Sequence, residues 1–190
     1  MLRVFAALPL CLGLLAGTVT AQRSHQRKGL WIGFGLGPAE NLSTGLDGHR
    51  LWGGGGYFRM GGTTRPNLLL GGEGLGWAVD YRGATLSRTN LHFVAMLYPQ
   101  VHSGLYLKGG LGAAELSRRT TRGNTVTTST KEGFGTGLGL GYEIQIGRNL
   151  YLVPAADLAF QFFSRESDPN LGQIPGSNTI GFFTLGLTWH

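Results

Sequence analysis

Residues 133–146 read GFGTGLGLGYEIQI. Phe134, Leu138, Leu140, Tyr142, Ile144 and Ile146 fall on one parity, and Gly135, Gly137, Gly139, Gly141, Glu143 and Gln145 on the other. A period of two is that of a β-strand, whose side chains alternate between faces. One face is therefore Leu- and Ile-rich, and the other is almost bare glycine. Glycine makes up 34 of the 190 residues, far above its usual share of about 7%. No Gly-X-Y triplet repeats, so a collagen-like chain is excluded.

Seven further segments follow the same pattern, separated by turn signals, which predicts an all-β barrel or sandwich. Residues 29–37 place Leu30, Ile32, Phe34 and Leu36 on one face, and residues 50–60 place Trp52, Phe58 and Met60 opposite Arg59. Residues 67–80 carry Leu75, Trp77 and Val79. Residues 88–98 alternate Leu91, Phe93, Ala95 and Leu97 with Asn90 and His92. Residues 104–116 set Leu105, Leu107 and Leu111 against Tyr106 and Lys108. Residues 149–163 set Leu150, Leu152, Ala156, Leu158, Phe160 and Phe162 against Asp157 and Gln161, and residues 179–190 form the last segment.

The connections alternate in length. Those at 38–49, 81–87, 117–132 and 164–178 are mostly long and polar, and those at 61–66, 99–103 and 147–148 are tight. An up-and-down membrane barrel has this asymmetry, with short periplasmic turns and longer external loops. The glycine face also decides between a membrane barrel and a soluble one. A soluble barrel would expose that bare backbone to water, whereas a narrow membrane barrel needs small residues in its lumen. The expectation is an eight-stranded antiparallel transmembrane barrel with its apolar face on lipid. A soluble periplasmic ligand-binding barrel is the opposite arrangement of the same faces.

Residues 1–21 carry one early cation, Arg3, then an apolar run ending in Val19-Thr20-Ala21. That is the pattern of a secretory signal peptide cleaved after Ala21, leaving 22–190 as a single barrel domain. Cys11, the only cysteine, lies inside this segment and follows Leu10, which disfavours lipidation and leaves no thiolate metal site or disulfide beyond it. The formal charge of +6 is scattered through turns rather than gathered in a stripe, so nucleic acid is not an expected partner.

The lumen face holds Arg59, Glu73, Lys108, Glu143 and Asp157, expected to form a structural charge network. Strict alternation would set Glu73 on lipid beside Leu75 and Trp77, so a β-bulge at Gly74 is predicted to turn it inward. Trp77 and Tyr81, like Tyr142 and Trp189, are expected to be interface anchors. Eight strands leave little room for a channel, though a glycine lining keeps a thin water file, and hence a narrow pore, open.

The final row Phe183, Leu185, Leu187, Trp189 resembles the C-terminal β-signal of bacterial outer-membrane proteins, although here His190 follows the aromatic. With the strand pattern, the chain resembles a small OmpA/OmpX-type eight-stranded outer-membrane β-barrel. That resemblance implies an outer-membrane location, lipid and lipopolysaccharide contacts, insertion by the barrel-assembly machinery, and a monomer.

Catalytic signals are weak. No glycine run completes G-x-G-x-x-G, no Gly-Lys-Ser/Thr occurs, and no spacing suggests a metal or cofactor site. Lipid A-modifying barrels use a rim histidine and serine. The nearest equivalent here is Ser43, Asp47 and His49, with no His-x-Ser. The expected role is non-enzymatic: structural, surface-contact or adhesion-type. Arg118, Arg119, Arg122 and Lys131, set among Thr and Ser in the third external connection, are candidates for lipopolysaccharide phosphates; a solvated loop is the alternative.

Overall fold

The computed structural model describes residues 27–43, 50–122, 125–164, 167–168, 172–173 and 176–190, so the signal-peptide segment, Asp47 and His49 lie outside the described residues. Eight strands run antiparallel in chain order: β1 (Leu30–Asn41), β2 (Leu51–Arg65), β3 (Leu68–Tyr81), β4 (Ala84–Leu97), β5 (Leu105–Arg122), β6 (Thr125–Tyr142, resuming as Ile144–Gln145), β7 (Leu150–Phe162) and β8 (Ser177–Trp189). Each pairs with its neighbour, and β8 returns to β1, from Ile32↔Trp189 to Asn41↔Ile180. Closure leaves no free sheet edge, which a strand needs in lipid.

The outward face is a nearly uninterrupted apolar belt. Leu30, Phe34, Leu36, Phe58, Met60, Leu91, Phe93, Leu111, Phe134, Leu138, Phe183, Leu185 and Trp189 are all exposed. Water would not tolerate so large an apolar surface; a bilayer requires it. The soluble arrangement is therefore excluded by geometry: the leucines are outside and the charges inside.

The predicted bulge at Gly74 does not form. β3 pairs with β4 in unbroken register from Leu68↔Leu97 to Tyr81↔Ala84, and the irregularity of this region lies in β2, between Thr63 and Arg65. Glu73 is buried and Leu68 and Leu70 point outward, as the bulge was expected to arrange, but regular alternation achieves this because the strand beyond Gly74 has the opposite parity to that expected. Leu75 and Trp77 are buried in the lumen with Val79 packed against them, and the lipid face of β3 is Leu68, Leu70, Gly72, Gly74, Gly76 and Ala78. Trp77 is thus not an interface anchor, and neither is Tyr81, which packs against the same inward cluster. The upper lumen needs apolar filling, and β3 supplies it at the expense of its outer face.

Connections at the far end are shorter than expected because the strands continue. β3 and β4 meet in a two-residue turn with Arg82 at φ 49° and Gly83 at φ 75°, the all-positive geometry that suits a twisted hairpin. Most of the expected loop at 117–132 is strand: β5 and β6 pair without interruption from Leu105↔Tyr142 to Arg122↔Thr125.

The lumen glycines are places where a facing side chain lies flat against backbone. The Tyr57 ring occupies the space beside Gly35 and Gly186, Tyr106 that beside Gly141, Asp157 that beside Gly139, and Trp31 that beside Gly71. On the lipid side Gly74 and Gly76 face open space. Gly141→Leu is therefore expected to drive Tyr106 out of place, an overpacking cost of about 1–3 kcal/mol or more. Gly74→Leu should fold like the parent. Heat-modifiable gel mobility after refolding into detergent reads both; equal folded fractions would mean that the lumen is not tightly filled.

Candidate functional site

Two regions concentrate polar chemistry: the lumen, and the part of the β5–β6 hairpin that stands beyond the belt. Both follow from strand parity.

At the short-turn end, Arg27 lies across the barrel mouth. Its Nε donates to Glu143 Oε2 at 3.0 Å, Nη1 to the Val101 carbonyl at 3.0 Å and Nη2 to the Ser103 carbonyl at 2.8 Å. Its guanidinium sits 3.5 Å from the centre of the Tyr98 ring, an arrangement favourable to a cation. Tyr98 donates to Glu143 Oε1 at 2.7 Å, and His190 Nε2 lies 3.0 Å from the same oxygen, with its ring edge-on to Tyr151. One carboxylate in the break of β6 thus gathers groups from before β1, after β4 and after β8. Glu143 was expected among the lumen charges; it lies instead in this plug, apart from the others.

Trp31, Leu69, Val94, Met96, Tyr98, Tyr106, Tyr151 and Val153 form a buried aromatic and aliphatic layer at this end. Beyond it lie the mid-lumen charges. Lys108 Nζ bridges Glu73 Oε2 at 2.5 Å and Asp157 Oδ1 at 2.8 Å. Arg59 stands beside this triad and donates through Nη2 to the Tyr106 hydroxyl at 3.0 Å and the Tyr57 hydroxyl at 3.4 Å, with both rings close to its guanidinium. A chain of amides continues outward. Asn90 Nδ2 meets His92 Nε2 at 3.0 Å, Gln161 Nε2 donates to Asn90 Oδ1, and Arg88 Nη1 donates to Gln161 Oε1 at 3.3 Å.

A second apolar layer closes the outer end: Ala39, Tyr57, Leu75, Trp77, Leu86, Ala159, Ile180 and Phe182, with Leu51, Val79 and Tyr81 against it. The Trp77 indole N–H donates to the Ala39 carbonyl at 3.2 Å, so its polar atom is satisfied. The Glu73–Lys108–Asp157 triad lies between the two apolar layers, and Arg88, opposite Trp77, is level with the outer one. The thin water file allowed by a glycine lining meets rings lying in the glycine hollows.

The outer hairpin divides the four cations proposed for anion contact. Arg119 points outward, in a row with Thr85 of β4 and Thr128 of β6. Ser87, Ser117 and Thr130 form the next outward row, and Thr85 Oγ1 donates to Asp80 Oδ1 at 2.6 Å. Arg118 and Lys131 occupy the opposite, inward face, opposite Ser129 and Leu116 respectively. The Arg122 backbone pairs with Thr125, and its side chain is outside the described part.

Of the residues considered for lipid A chemistry, Ser43 is described. Its hydroxyl accepts the Thr179 N–H at 2.8 Å, a tie between the end of β1 and β8. Among the described residues no group of three or more His, Cys, Asp or Glu side chains could hold a metal ion. Sequence reasoning missed Arg27, Tyr57, Tyr98, Tyr106 and His190 as plug or charge partners. Tyr57 and Tyr106 lay on predicted glycine faces and Tyr98 shared the parity of Asn90 and His92, a usable signal. Arg27 and His190 lie outside any periodic pattern and gave none.

No family profile and no curated protein matches the chain by sequence. Solved structures do match in shape. Ail, the attachment invasion locus protein of Yersinia pestis, crystallised in complex with the heparin analogue sucrose octasulfate, superposes with a TM-score of 0.59 at 12% identity, covering 86% of this chain and 99% of that one. Neisserial surface protein A superposes with a TM-score of 0.58 at 11% identity, covering 84% and 96%. This chain has the fold of small eight-stranded outer-membrane barrels of the OmpA/OmpX type, and its belt suits that bacterial membrane.

The mid-lumen triad makes a direct prediction. Lys108→Met leaves two buried carboxylates without their cation and is expected to lower unfolding stability by about 3–5 kcal/mol. The further changes Glu73→Gln and Asp157→Asn should recover most of it. Urea unfolding in lipid vesicles measures both variants, and an unchanged midpoint for Lys108→Met would mean that the Lys108 bridges do not hold the lumen together.

Proposed function

We propose that this barrel is a non-enzymatic surface-contact protein whose working part is the projecting β5–β6 hairpin, and that the hairpin binds phosphorylated or sulfated saccharide. The observation that carries this reading is strand length: β5 and β6 have 18 residues each, against 12 to 15 for the other six barrel strands. The excess lies beyond Glu115 and Glu132, where the outward face turns from Leu and Phe to Thr, Ser and Arg. Hydroxyl rows with a guanidinium among them offer charge-assisted hydrogen bonds to sulfate or phosphate oxygens, and Arg in particular grips such groups with two N–H bonds. The backbone ladder holds the rows in register, so less ordering entropy is lost on binding than with a loose loop. Ail, of similar fold, holds a sulfated sugar analogue, which supports the class of ligand and nothing about the position of the site.

A conducting role is disfavoured by the two apolar layers and by the Arg27 plug. Single-channel recording in planar bilayers is expected to show no steps, and steps of regular size would require a path that these layers do not provide.

The binding reading is tested with purified barrel in vesicles free of lipopolysaccharide, applied to heparin-coated beads. Arg119→Ala is expected to weaken retention about 5- to 10-fold, and Arg118→Ala combined with Lys131→Ala less, because those two face inward. Heat-modifiable mobility of each variant checks that the barrel is intact. Equal retention of parent and Arg119→Ala would sink the assignment. Retention only on adding lipopolysaccharide would place the saccharide in the same membrane rather than on another surface.

A further inference from the structure

The apolar belt is not smooth. On one side a hollow of about 580 Å³ opens toward lipid, lined by outward residues of β1 and β5 to β8. Two in-register rows cross it. In the lower row, Leu105 of β5 faces Tyr142 of β6, and Pro154 of β7 faces Leu185 of β8, which in turn faces Leu36 of β1. In the upper row, Leu140 faces Ala156 and Ala156 faces Phe183. In both rows the central position, on β7, carries the short side chain. Pro154 and Ala156 are the floor; Tyr142 and Leu140 form one wall, and Leu185 and Phe183 the other.

The hollow has a structural cause. Proline cannot donate to a strand ladder. Pairing between β6 and β7 runs from Phe134↔Phe162 to Gly141↔Ala155, lapses at Tyr142 and Glu143, and resumes at Ile144↔Leu152. Glu143 N instead donates to the Gly104 carbonyl at 2.9 Å, on the β5 side. The hollow lies where the ladder lapses and the outward side chains of β7 are shortest.

We propose that this hollow is a binding site for one acyl chain of an anionic glycerophospholipid from the periplasmic leaflet. It is continuous with the lipid-contacting belt, so a hydrocarbon chain is already its neighbour. Its volume is that of a ligand-sized site, and it is open along its lipid side, as a groove for a chain must be. A floor with a wall on either side offers a chain more contact than the convex belt does, so dispersion and burial favour retention there. Depth selects the leaflet. The hollow lies above the 147–149 turn, a tight connection of the kind that faces the periplasm.

Leu150, where the strand begins just after the exposed Arg148 of that turn, is four residues below Pro154. At ~3.3 Å per residue that is about 13 Å along the strand, and a tilt of roughly 35–45° reduces it to about 10 Å of depth. Half of a hydrocarbon core ~30 Å thick is about 15 Å, so the floor at Pro154 lies in the periplasmic half. A phosphate at Arg148 therefore sends its chain past Leu150 and Leu152 into the hollow. This site makes no use of the outer hairpin, and it stands or falls separately from saccharide binding.

The test uses the barrel in nanodiscs containing phosphatidylglycerol with a diazirine near the chain end, followed by mapping of the labelled peptides. Labelling is expected to concentrate on Leu140, Tyr142, Phe183 and Leu185. Ala156→Trp, which fills the hollow, should reduce it at least 5-fold, and Ala95→Trp on the far side of the belt should not. Should Ala156→Trp fail to give a folded band, Ala156→Leu is the smaller filling and should reduce labelling in the same direction. Arg148→Ala should lower labelling about fivefold, the effect of one interfacial cation on an anionic lipid. Labels spread evenly around the belt, labelling unchanged by filling the hollow, or links from Phe183 to a second barrel would each overturn the assignment.

Discussion

The structure depends on one constraint: eight strands enclose so little space that many of the large inward side chains fit only beside a facing glycine. Tyr57 fits because Gly35 and Gly186 have no Cβ, and Tyr106 fits because Gly141 has none. The charges add a second demand. In a lumen cut off from bulk water, a carboxylate without a cation is strongly disfavoured. Lys108 therefore serves Glu73 and Asp157 together, and Gly139 leaves the room in which Asp157 reaches it. The high glycine content is thus the counterpart of a lumen filled with tyrosine, arginine and carboxylate, and it leaves little of the barrel interior as open passage.

Strand count, antiparallel order, the apolar belt and the inward direction of Lys108, Glu143 and Asp157 could be read from alternation alone. Alternation has one weakness, shown by β3: it separates two faces but does not say which is inside. In β6 the polar contrast settles the matter, because Glu143 and Gln145 share the parity of the glycines. In β3 both faces carry glycine and leucine, and Glu73 shares its face with Leu75 and Trp77. The rule that bulky means outward sent all three toward lipid, and a bulge was needed to rescue the carboxylate. The simpler answer is that Glu73 sets the parity of the whole strand: removing a buried ion pair's carboxylate to lipid costs more than leaving Gly72, Gly74 and Gly76 on the outside.

The groups that close the ends were harder to foresee for a related reason. Arg27 precedes β1 and His190 follows β8, so neither is part of a periodic pattern. Their meeting at Glu143 depends on closure of the ring, which brings the β8–β1 seam within reach of the break in β6. The length of the outer hairpin was hidden by composition. Thr- and Ser-rich sequence with scattered arginines reads as loop, yet threonine is among the better strand formers, and β5 and β6 continue through it in register.

These features together separate the inside of the barrel from its outside as places for function. The lumen has its carboxylates paired, its hollows filled by rings and its short-turn end stopped by Arg27, so a ligand entering it would have to displace packed structure. The outer surfaces are different. The hairpin carries hydroxyls and Arg119 on a face whose backbone is already ordered, and the hollow at Pro154 and Ala156 is a gap in an otherwise convex belt. A narrow barrel that is rigid inside can hold such outer surfaces at a fixed height in the membrane, since lumen and belt are alternate residues of the same strands. Widening the lumen for transport would loosen the ladder that keeps the hairpin rows aligned. In this molecule a filled interior and an exterior suited to binding are two consequences of the same packing.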